Sequence, residues 1–146
     1  MIELQIVTPD RMLVQEKVDE VQIPGSEGYF GVLPGHTPLL AALSVGELWF
    51  RKGQEKTYLS IANGFAEVLP DRVTILAQLA ERAEEIDMER AESARQRASE
   101  RLEGRSEVDY DRARQALLKS MTRLQVSSRI ASGAGPRLKR LSREGS

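Results

Sequence analysis

A chain of 146 residues, 40% hydrophobic and 29% charged, has the composition of one globular domain with room for a small appendage. It has no cysteine, which excludes disulfides and thiolate metal sites, and no apolar run of about 18 residues, so we expect no direct insertion into a bilayer. The formal net charge of −1 is unevenly placed, because residues 1–80 carry six Lys/Arg and ten Asp/Glu, whereas residues 81–146 carry fifteen and twelve.

Short strands are predicted throughout the first half of the chain. In residues 2–8 apolar and polar side chains alternate, as they do in a half-buried strand. Similar segments recur about every ten residues as far as residue 77, and Lys52-Gly53, Asn63-Gly64 and Pro70-Asp71 are turn signals between them. This pattern predicts an antiparallel β-sandwich or barrel.

The pattern changes at a charged joint, residues 80–91, after which two helices are predicted. Asp87 is placed to cap the first helix, and residues 103–106 separate it from the second. One face of the first helix consists of small or apolar residues at spacings of three and four, namely Ala91, Ala94, Ala98 and Leu102. Because an αα-hairpin lined by alanine buries little apolar area, we expect it to be weakly attached and able to move to another surface.

The fold class is therefore α+β, and the chain divides into a β-sandwich (residues 1–84), a helical hairpin (residues 85–131) and a basic tail (residues 132–146) that we predict to be disordered. A basic tail can contact nucleic acid. Four cations without interleaved aromatic residues are more typical of a solvated tail, so no nucleic-acid partner is predicted.

The sequence contains no constellation typical of an enzyme. His36 is the only histidine, and it has no second histidine or cysteine with which to share a metal, so a turn residue with a local hydrogen bond is favoured over a catalytic base. A phosphate-binding P-loop is absent, and the glycines of residues 25–31 do not have the dinucleotide-binding spacing. We predict an accessory protein with no catalytic residue, no metal and no required cofactor.

The joint has one feature that calls for a negative partner. Arg90 lies in the first turn of the predicted helix, where a cation opposes the helix dipole. Lys119 and Arg123 are four residues apart on the second helix and share a face, so the three cations converge if that face folds back. Two interpretations remain open: a bound phosphate, or an intramolecular carboxylate from Glu81, Glu84 or Glu85.

In several segments the chain closely resembles the epsilon subunits of F-type ATP synthases. The resemblance runs from about residue 2 to residue 130, and it is highly specific because its motifs occur in the same order and spacing as in that family. The motifs are the glycine- and proline-rich residues 25–40 (GSEGYFGVLPGHTPLL), residues 63–68 (NGFAEV), residues 71–77 (DRVTILA), residues 108–110 (VDY) and residues 123–124 (RL). Tyr29 departs from the acidic residue that often follows Gly28 in the family.

The resemblance implies an N-terminal antiparallel β-sandwich of about ten strands followed by a C-terminal antiparallel helical hairpin. It also implies a rotor subunit of the central stalk of a proton-translocating ATP synthase, peripheral to the cytoplasmic face of a bacterial inner membrane or, alternatively, to a thylakoid membrane. The implied partners are the gamma subunit and the ring of c subunits, contacted near Glu27, Tyr29 and His36.

The resemblance further implies that the hairpin can extend toward the alpha and beta subunits and block rotation in the direction of ATP hydrolysis. The basic residues expected to meet the beta subunits are Arg112, Lys119, Arg123 and Arg129. An alternative function is ATP sensing, with ATP as a regulatory ligand. The candidate nucleotide-binding residues are Glu81, Ile86, Asp87, Arg90, Ala91, Lys119 and Arg123. Lys119 stands where strong binders have arginine, and lysine cannot make the forked contact.

Overall fold

The computed structural model describes residues 1–102 and 107–131, and the side chains of all of these except residues 107–110 and 131. The predicted break at residues 103–106 and the predicted basic tail at residues 132–146 lie outside the described residues.

Eight strands precede two helices in the described chain, joined by a 3-10 turn at Ala83–Glu85. The strands are β1 (Ile2–Val7), β2 (Met12–Val18), β3 (Glu20–Gly25), β4 (Gly28–Val32), β5 (Leu39–Leu43), β6 (Gly46–Lys52), β7 (Glu55–Val68) and β8 (Arg72–Arg82). The helices are α1 (Met88–Arg101) and α2 (Glu107–Ala131). The predicted class, a β-sandwich followed by a helical hairpin, is confirmed.

The strands form one hydrogen-bonded network in the order β2-β1-β8-β7-β5-β3-β4, in which β6 also pairs with β3 and β7. The pairing is antiparallel throughout except between β1 and β8, which are parallel. A parallel pair needs a long crossover, and the six strands between β1 and β8 provide it.

The structure has eight strands where the resemblance implied about ten, and the predicted turn at Asn63-Gly64 is not a turn. Both residues have positive φ, 62° and 123°, yet they lie inside the fourteen-residue strand β7. A Cβ atom at position 64 would lie 1.9 Å from the carbonyl oxygen of Leu76, so only glycine fits there. The Asn-Gly pair is a strong hairpin signal, but here the strand continues along its partner β8 on both sides.

This irregularity reverses the side of β7 that faces the core. Leu59 and Ile61 belong to the main core before it, whereas Ala66 and Val68 belong to the main core after it, so the positions that face the main core change from odd to even. At the same place β7 exchanges its neighbour β6 for β5. One long strand therefore serves both halves of the sandwich.

The core is aliphatic and comes from every strand. Among the described residues it contains twenty buried side chains, and Phe50 is the aromatic one. On β1, Ile2, Leu4 and Ile6 are fully buried while the residues between them are not, which is the predicted alternation. The sandwich thus buries its own apolar surface without help from the helices.

The helical half follows the sequence signals closely. Asp87 caps α1, since its carboxylate accepts the backbone N–H of Arg90 at 3.2 Å. Ala91 and Ala98 are buried on the predicted small-residue face. The hairpin packs α1 against α2 and sets α2 against β6, β7 and the 3-10 turn.

Candidate functional site

Three neighbouring strands present a polar row to α2. Glu47 on β6 is paired with Ser60 on β7, which is paired with Glu81 on β8. Residues that are directly opposite in register project from the same face of a sheet. Two members of this docking row (Glu47, Ser60 and Glu81) lie largely out of water, since Glu47 and Ser60 are each 7% exposed, whereas Glu81 is partly exposed.

Arg129 of α2 binds the first carboxylate of the docking row through two hydrogen bonds. Its Nε and Nη2 donate to the two oxygens of Glu47, at 2.9 and 2.8 Å. The guanidinium also lies over the ring of Tyr58, 4.9 Å from its centroid. The hydrogen bond to Glu47 raises the pKa of Arg129, so the guanidinium stays charged. A forked, charge-assisted pair of this kind is a strong and directional contact.

Arg123 binds the second carboxylate less completely. Its Nη2 donates to Glu81 at 3.2 Å, and its Nε lies 2.7 Å from the other oxygen of the same carboxylate. The Nε–H is not aligned for a hydrogen bond and finds no other partner in the described part of the chain, so the shorter distance marks an ion pair only. The two side chains are 26% and 33% exposed, and water weakens such a pair.

The apolar contact between the hairpin and the sandwich is thin. A second cluster, separate from the main core, contains only four buried residues in the described chain, all from the joint or the hairpin. Its buried members are Ala83, Ile86, Ala91 and Val126, and its partly buried members are Tyr58, Leu124 and Ile130. Tyr58 is the member that the sandwich strands contribute.

A further ion pair joins the charged joint to the turn between β1 and β2. Arg11, in the turn between β1 and β2, lies 2.5 Å from Glu85, which also accepts the backbone N–H of Arg82 at 3.1 Å. Partial burial alone would raise the pKa of Glu85. The hydrogen bonds from Arg11 and the Arg82 backbone outweigh it and hold that pKa below its usual value.

The candidate nucleotide-binding residues are only partly brought together. Glu81 and Arg123 are in contact, Ile86 and Ala91 share the second cluster, and Asp87 is used as the helix cap. Arg90 is exposed and Lys119 half-buried, and neither forms an ion pair within residues 1–102 and 107–131. Of the carboxylates expected near Arg90, Glu81 pairs with Arg123 and Glu85 pairs with Arg11. ATP binding stays a prediction.

The candidate beta-contacting residues do not share one exposed face of the docked hairpin. Arg112 is exposed, whereas Arg123 and Arg129 are turned toward the docking row. Contact of these residues with the beta subunits stays a prediction and requires α2 to leave the sandwich.

Two of the three candidate rotor-contacting residues line the same depression. Glu27 and Tyr29 line an open depression of about 470 Å³ between β4 and β5. His36 is not part of its lining, and the Nδ1 of His36 is 2.6 Å from the carbonyl oxygen of Thr37, the local hydrogen bond expected of a turn residue. Tyr29 is 56% exposed, yet its hydroxyl accepts the backbone N–H of Glu47 at 3.1 Å.

An apolar row crosses the outside of four strands. Ala42, Phe65, Leu76 and Val7 are successive partners across β5, β7, β8 and β1. Phe65 is 56% exposed and Leu76 54% exposed, and a depression of about 410 Å³ lies beside them. Large exposed apolar side chains that adjoin in this way mark protein–protein contact surfaces.

Sequence reasoning missed Glu47, the most buried carboxylate of the docking row. The available signal was an acidic residue inside the otherwise apolar run Gly46–Phe50, where a strand buried on both faces leaves no solvated position. A buried carboxylate needs a cation. The partner could not be inferred, because Arg129 lies 82 residues away in sequence.

The described residues contain no group of acidic or histidine side chains arranged to hold a metal ion. None of the helices in the described ranges has the length and apolar character that crossing a membrane requires.

Comparisons with known proteins agree with this architecture. Residues 1–83 match the family model for the beta-sandwich domain of the ATP synthase delta/epsilon chain, and residues 84–128 match that for its long alpha-helix domain. The ATP synthase epsilon chain of Syntrophobacter fumaroxidans is 50% identical over 129 residues, which cover 88% of this chain and 96% of the relative. That of Nitratidesulfovibrio vulgaris is 45% identical over 126 residues, covering 86% and 94%.

A solved structure is similar as well. A chain of the mitochondrial ATP synthase of Euglena gracilis, in a structure that includes the c-ring, superimposes with a TM-score of 0.75 at 30% identity, over 83% of this chain and 78% of the other. The chain therefore belongs to the ATP synthase delta/epsilon chain family and is an accessory subunit of that complex, not itself an enzyme.

Proposed function

We propose that this chain is a rotor subunit of the central stalk of a proton-translocating ATP synthase, and that its hairpin inhibits ATP hydrolysis when it leaves the sandwich. The observation that carries the proposal is the difference in attachment between the two parts. The sandwich has its own core of twenty buried residues, whereas in the described chain α2 is held to it by two ion pairs and a second cluster of four buried residues, and the joint by the Arg11–Glu85 pair. Such a hairpin can undock while the sandwich stays folded and bound to the other rotor subunits.

The apolar row is the surface that we assign to the gamma subunit. It is formed on strands that are rigidly paired, and the exposed side chains of Phe65 and Leu76 offer the kind of anchors that dominate binding energy. We expect Phe65→Asp to reduce co-purification with gamma by about tenfold or more. Met121→Asp, at an apolar side chain on α2 that is 50% exposed, is the matched control and should leave assembly unchanged.

The part of the sandwich that carries Glu27, Tyr29 and His36 is the surface that we assign to the c-ring. The similar Euglena chain comes from a structure that includes a c-ring, which supports this partner. The subunit then lies at the cytoplasmic face of a bacterial membrane and is held there by its partners.

The proposed inhibition of ATP hydrolysis by the hairpin, here called the brake, uses cations that form ion pairs with the sandwich while the hairpin is docked. In the docked state Arg123 and Arg129 bind Glu81 and Glu47. In an extended hairpin they would face acidic segments of the beta subunits next to the alpha subunits. Attraction between exposed charges is screened at physiological ionic strength, so the contact is reversible.

Deletion of residues 87–146 tests the brake in the assembled complex. The truncated chain keeps the sandwich and both proposed rotor surfaces, so it should still co-purify with gamma, while ATP hydrolysis by the complex rises. Normal assembly with unchanged hydrolysis would contradict an inhibitory hairpin.

ATP sensing is a second candidate function, favoured by one observation. Arg123, which pairs with Glu81, is followed on α2 by Leu124, a member of the second cluster that also includes Ile86 and Ala91. ATP bound there would require both helices together and would stabilise the docked hairpin. Calorimetry of the isolated chain should then show heat and a rise in Tm with ATP. The absence of both effects at millimolar ATP would end the sensor hypothesis.

A further inference from the structure

We propose that Glu47 and Glu81 form a two-point latch for α2, in which the Glu47–Arg129 contact is the stronger point and sets how often the hairpin undocks. The inference deepens the proposed function, since it rests on a hairpin that can leave the sandwich. It assigns the control of that step to the docking row and not to the apolar cluster.

The spacing of the two arginines matches the spacing of the two carboxylates. Glu47 and Glu81 are two strands apart, and neighbouring strands are about 4.8 Å apart, which places their backbones roughly 10 Å from each other. Arg123 and Arg129 are six residues apart on a helix that rises about 1.5 Å per residue, or roughly 9 Å. The helix therefore crosses the strands so that Arg123 reaches Glu81 while Arg129 reaches Glu47.

The two points differ in strength because their carboxylates differ in burial and in the number of aligned hydrogen bonds, whereas the arginines of the Glu47 and Glu81 pairs are 36% and 26% exposed. The Glu47 side chain is 8% exposed and accepts a forked arginine, while the Glu81 side chain is 33% exposed and accepts one aligned hydrogen bond. Charge-assisted contacts that are shielded from water contribute more than those open to it. Loss of the Arg129 contact also leaves a carboxylate in a poorly solvated place.

The stronger point is tied to the part of the sandwich assigned to the c-ring. The Tyr29 hydroxyl accepts the backbone N–H of Glu47 and lies against Gly46, where a Cβ atom would approach it to 2.7 Å. Tyr29 is therefore a positioning residue for Glu47. A shift of β4, the strand that carries Tyr29, would move one carboxylate of the latch and not the other.

The absence of cysteine in the chain allows a direct measurement of undocking. Ser60 lies between the two carboxylates and is 7% exposed, so Ser60→Cys places a single thiol under α2. The rate at which a thiol reagent modifies the full-length protein then follows the population of the undocked state. We expect Glu47→Gln or Arg129→Gln to raise this rate about 10- to 100-fold, and Glu81→Gln about two- to fivefold.

The matched control is Glu92→Gln, which removes a carboxylate that pairs with Arg95 at 2.5 Å within α1 and so leaves the docking row intact. Its rate should equal that of the parent. Because Arg129 lies on the helix, Arg129→Gln remains informative even if Glu47→Gln disturbs the sandwich. The double variant that combines Glu47→Gln with Arg129→Gln should react with the thiol reagent no faster than Arg129→Gln alone. The latch would be overturned if the effects of Glu47→Gln and Arg129→Gln added in the double variant. It would also be overturned if the modification rates of these two single variants lay within roughly twofold of the control.

Failure of the latch and failure of the proposed function give different results. The thiol measurement uses the isolated chain and no ATPase activity, whereas the brake is tested by truncation in the complex. A rate unaffected by the docking-row variants, together with hydrolysis released by truncation, would leave the function standing and reject the latch.

Discussion

Different forces stabilise the sandwich and attach the hairpin to it. This contrast explains why the sandwich is rigid while the hairpin can undock. Twenty buried aliphatic or aromatic side chains stabilise the sandwich, and their contribution does not depend on ionic strength through screening. The second cluster, which joins the hairpin to the sandwich, has only four buried residues in the described chain, and α2 relies in addition on carboxylate–arginine pairs. Charged contacts near a surface respond to salt, pH and competing charges, which makes the weaker attachment adjustable.

The largest expected effect is on the sandwich, at Gly64. Alanine there would combine a positive φ with a Cβ atom 1.9 Å from the Leu76 carbonyl oxygen, so Gly64→Ala should lower the free energy of unfolding by about 3 kcal/mol. Chemical denaturation measures this change. Gly53→Ala is the control, because φ is also positive there but no atom lies within 4 Å, and it should cost roughly 1 kcal/mol. Equal losses would refute a special constraint on β7.

A smaller effect confined to the hairpin is expected at Val126. Its side chain is fully buried in the second cluster, and Val126→Ala removes two methyl groups, so docking should weaken by about 2 kcal/mol. Hydrogen exchange should accelerate in α2 while strand amides keep their protection. Met121→Ala, at a half-exposed residue, should change neither. Equal loss of protection in strands and helices would mean that the sandwich and the hairpin unfold together, which would contradict a separately attached hairpin.

Next in size is the cap of α1. Asp87→Ala removes the acceptor for the Arg90 backbone N–H and should destabilise the first turn by about 1 kcal/mol, seen as faster amide exchange there. Asp87→Asn keeps a good capping side chain and should behave like the parent. If amide exchange in Asp87→Ala is as slow as in Asp87→Asn and the parent, the cap does not stabilise the joint.

The smallest expected effect is a pH dependence at Glu85. Its pKa is lowered in the folded chain from a usual value of 4.5, so its contribution is fully present above pH 4.5 and is lost as the pH falls through the lower folded value. Arg11 and Glu85 are 51% and 34% exposed, which keeps the contribution small. Stability curves between about pH 2 and pH 7 should lose this component in Glu85→Gln. Identical curves would show that the Arg11 contact does not stabilise the joint.

Features governed by local chemistry were predictable from the sequence. The Asp87 cap and the buried faces at Ala91 and Ala98 depend on residues within a few positions of one another. The same reasoning failed at Asn63-Gly64. Both residues have the positive φ typical of an Asn-Gly turn, but the chain does not turn there. The hydrogen bonds of β8 on both sides of the pair keep the strand continuous.

The site was predictable only in part, for a related reason. Glu81 and Arg123 were both candidates, and they meet, but their pairing spans 42 residues. Glu47 was not a candidate at all, because nothing near it in sequence shows that a helix will cover it. Its environment comes from α2, which is formed about sixty residues later.

The sequence by itself determined the alternation that makes strands, the spacing that makes helices, and the charged joint between them, because each of these depends on neighbours along the chain. Only the tertiary structure decided that β7 is one strand, that Glu47, Ser60 and Glu81 form a row, and that Arg123 and Arg129 lie across it. Those contacts join segments far apart in sequence, and packing of the whole sheet fixes their register.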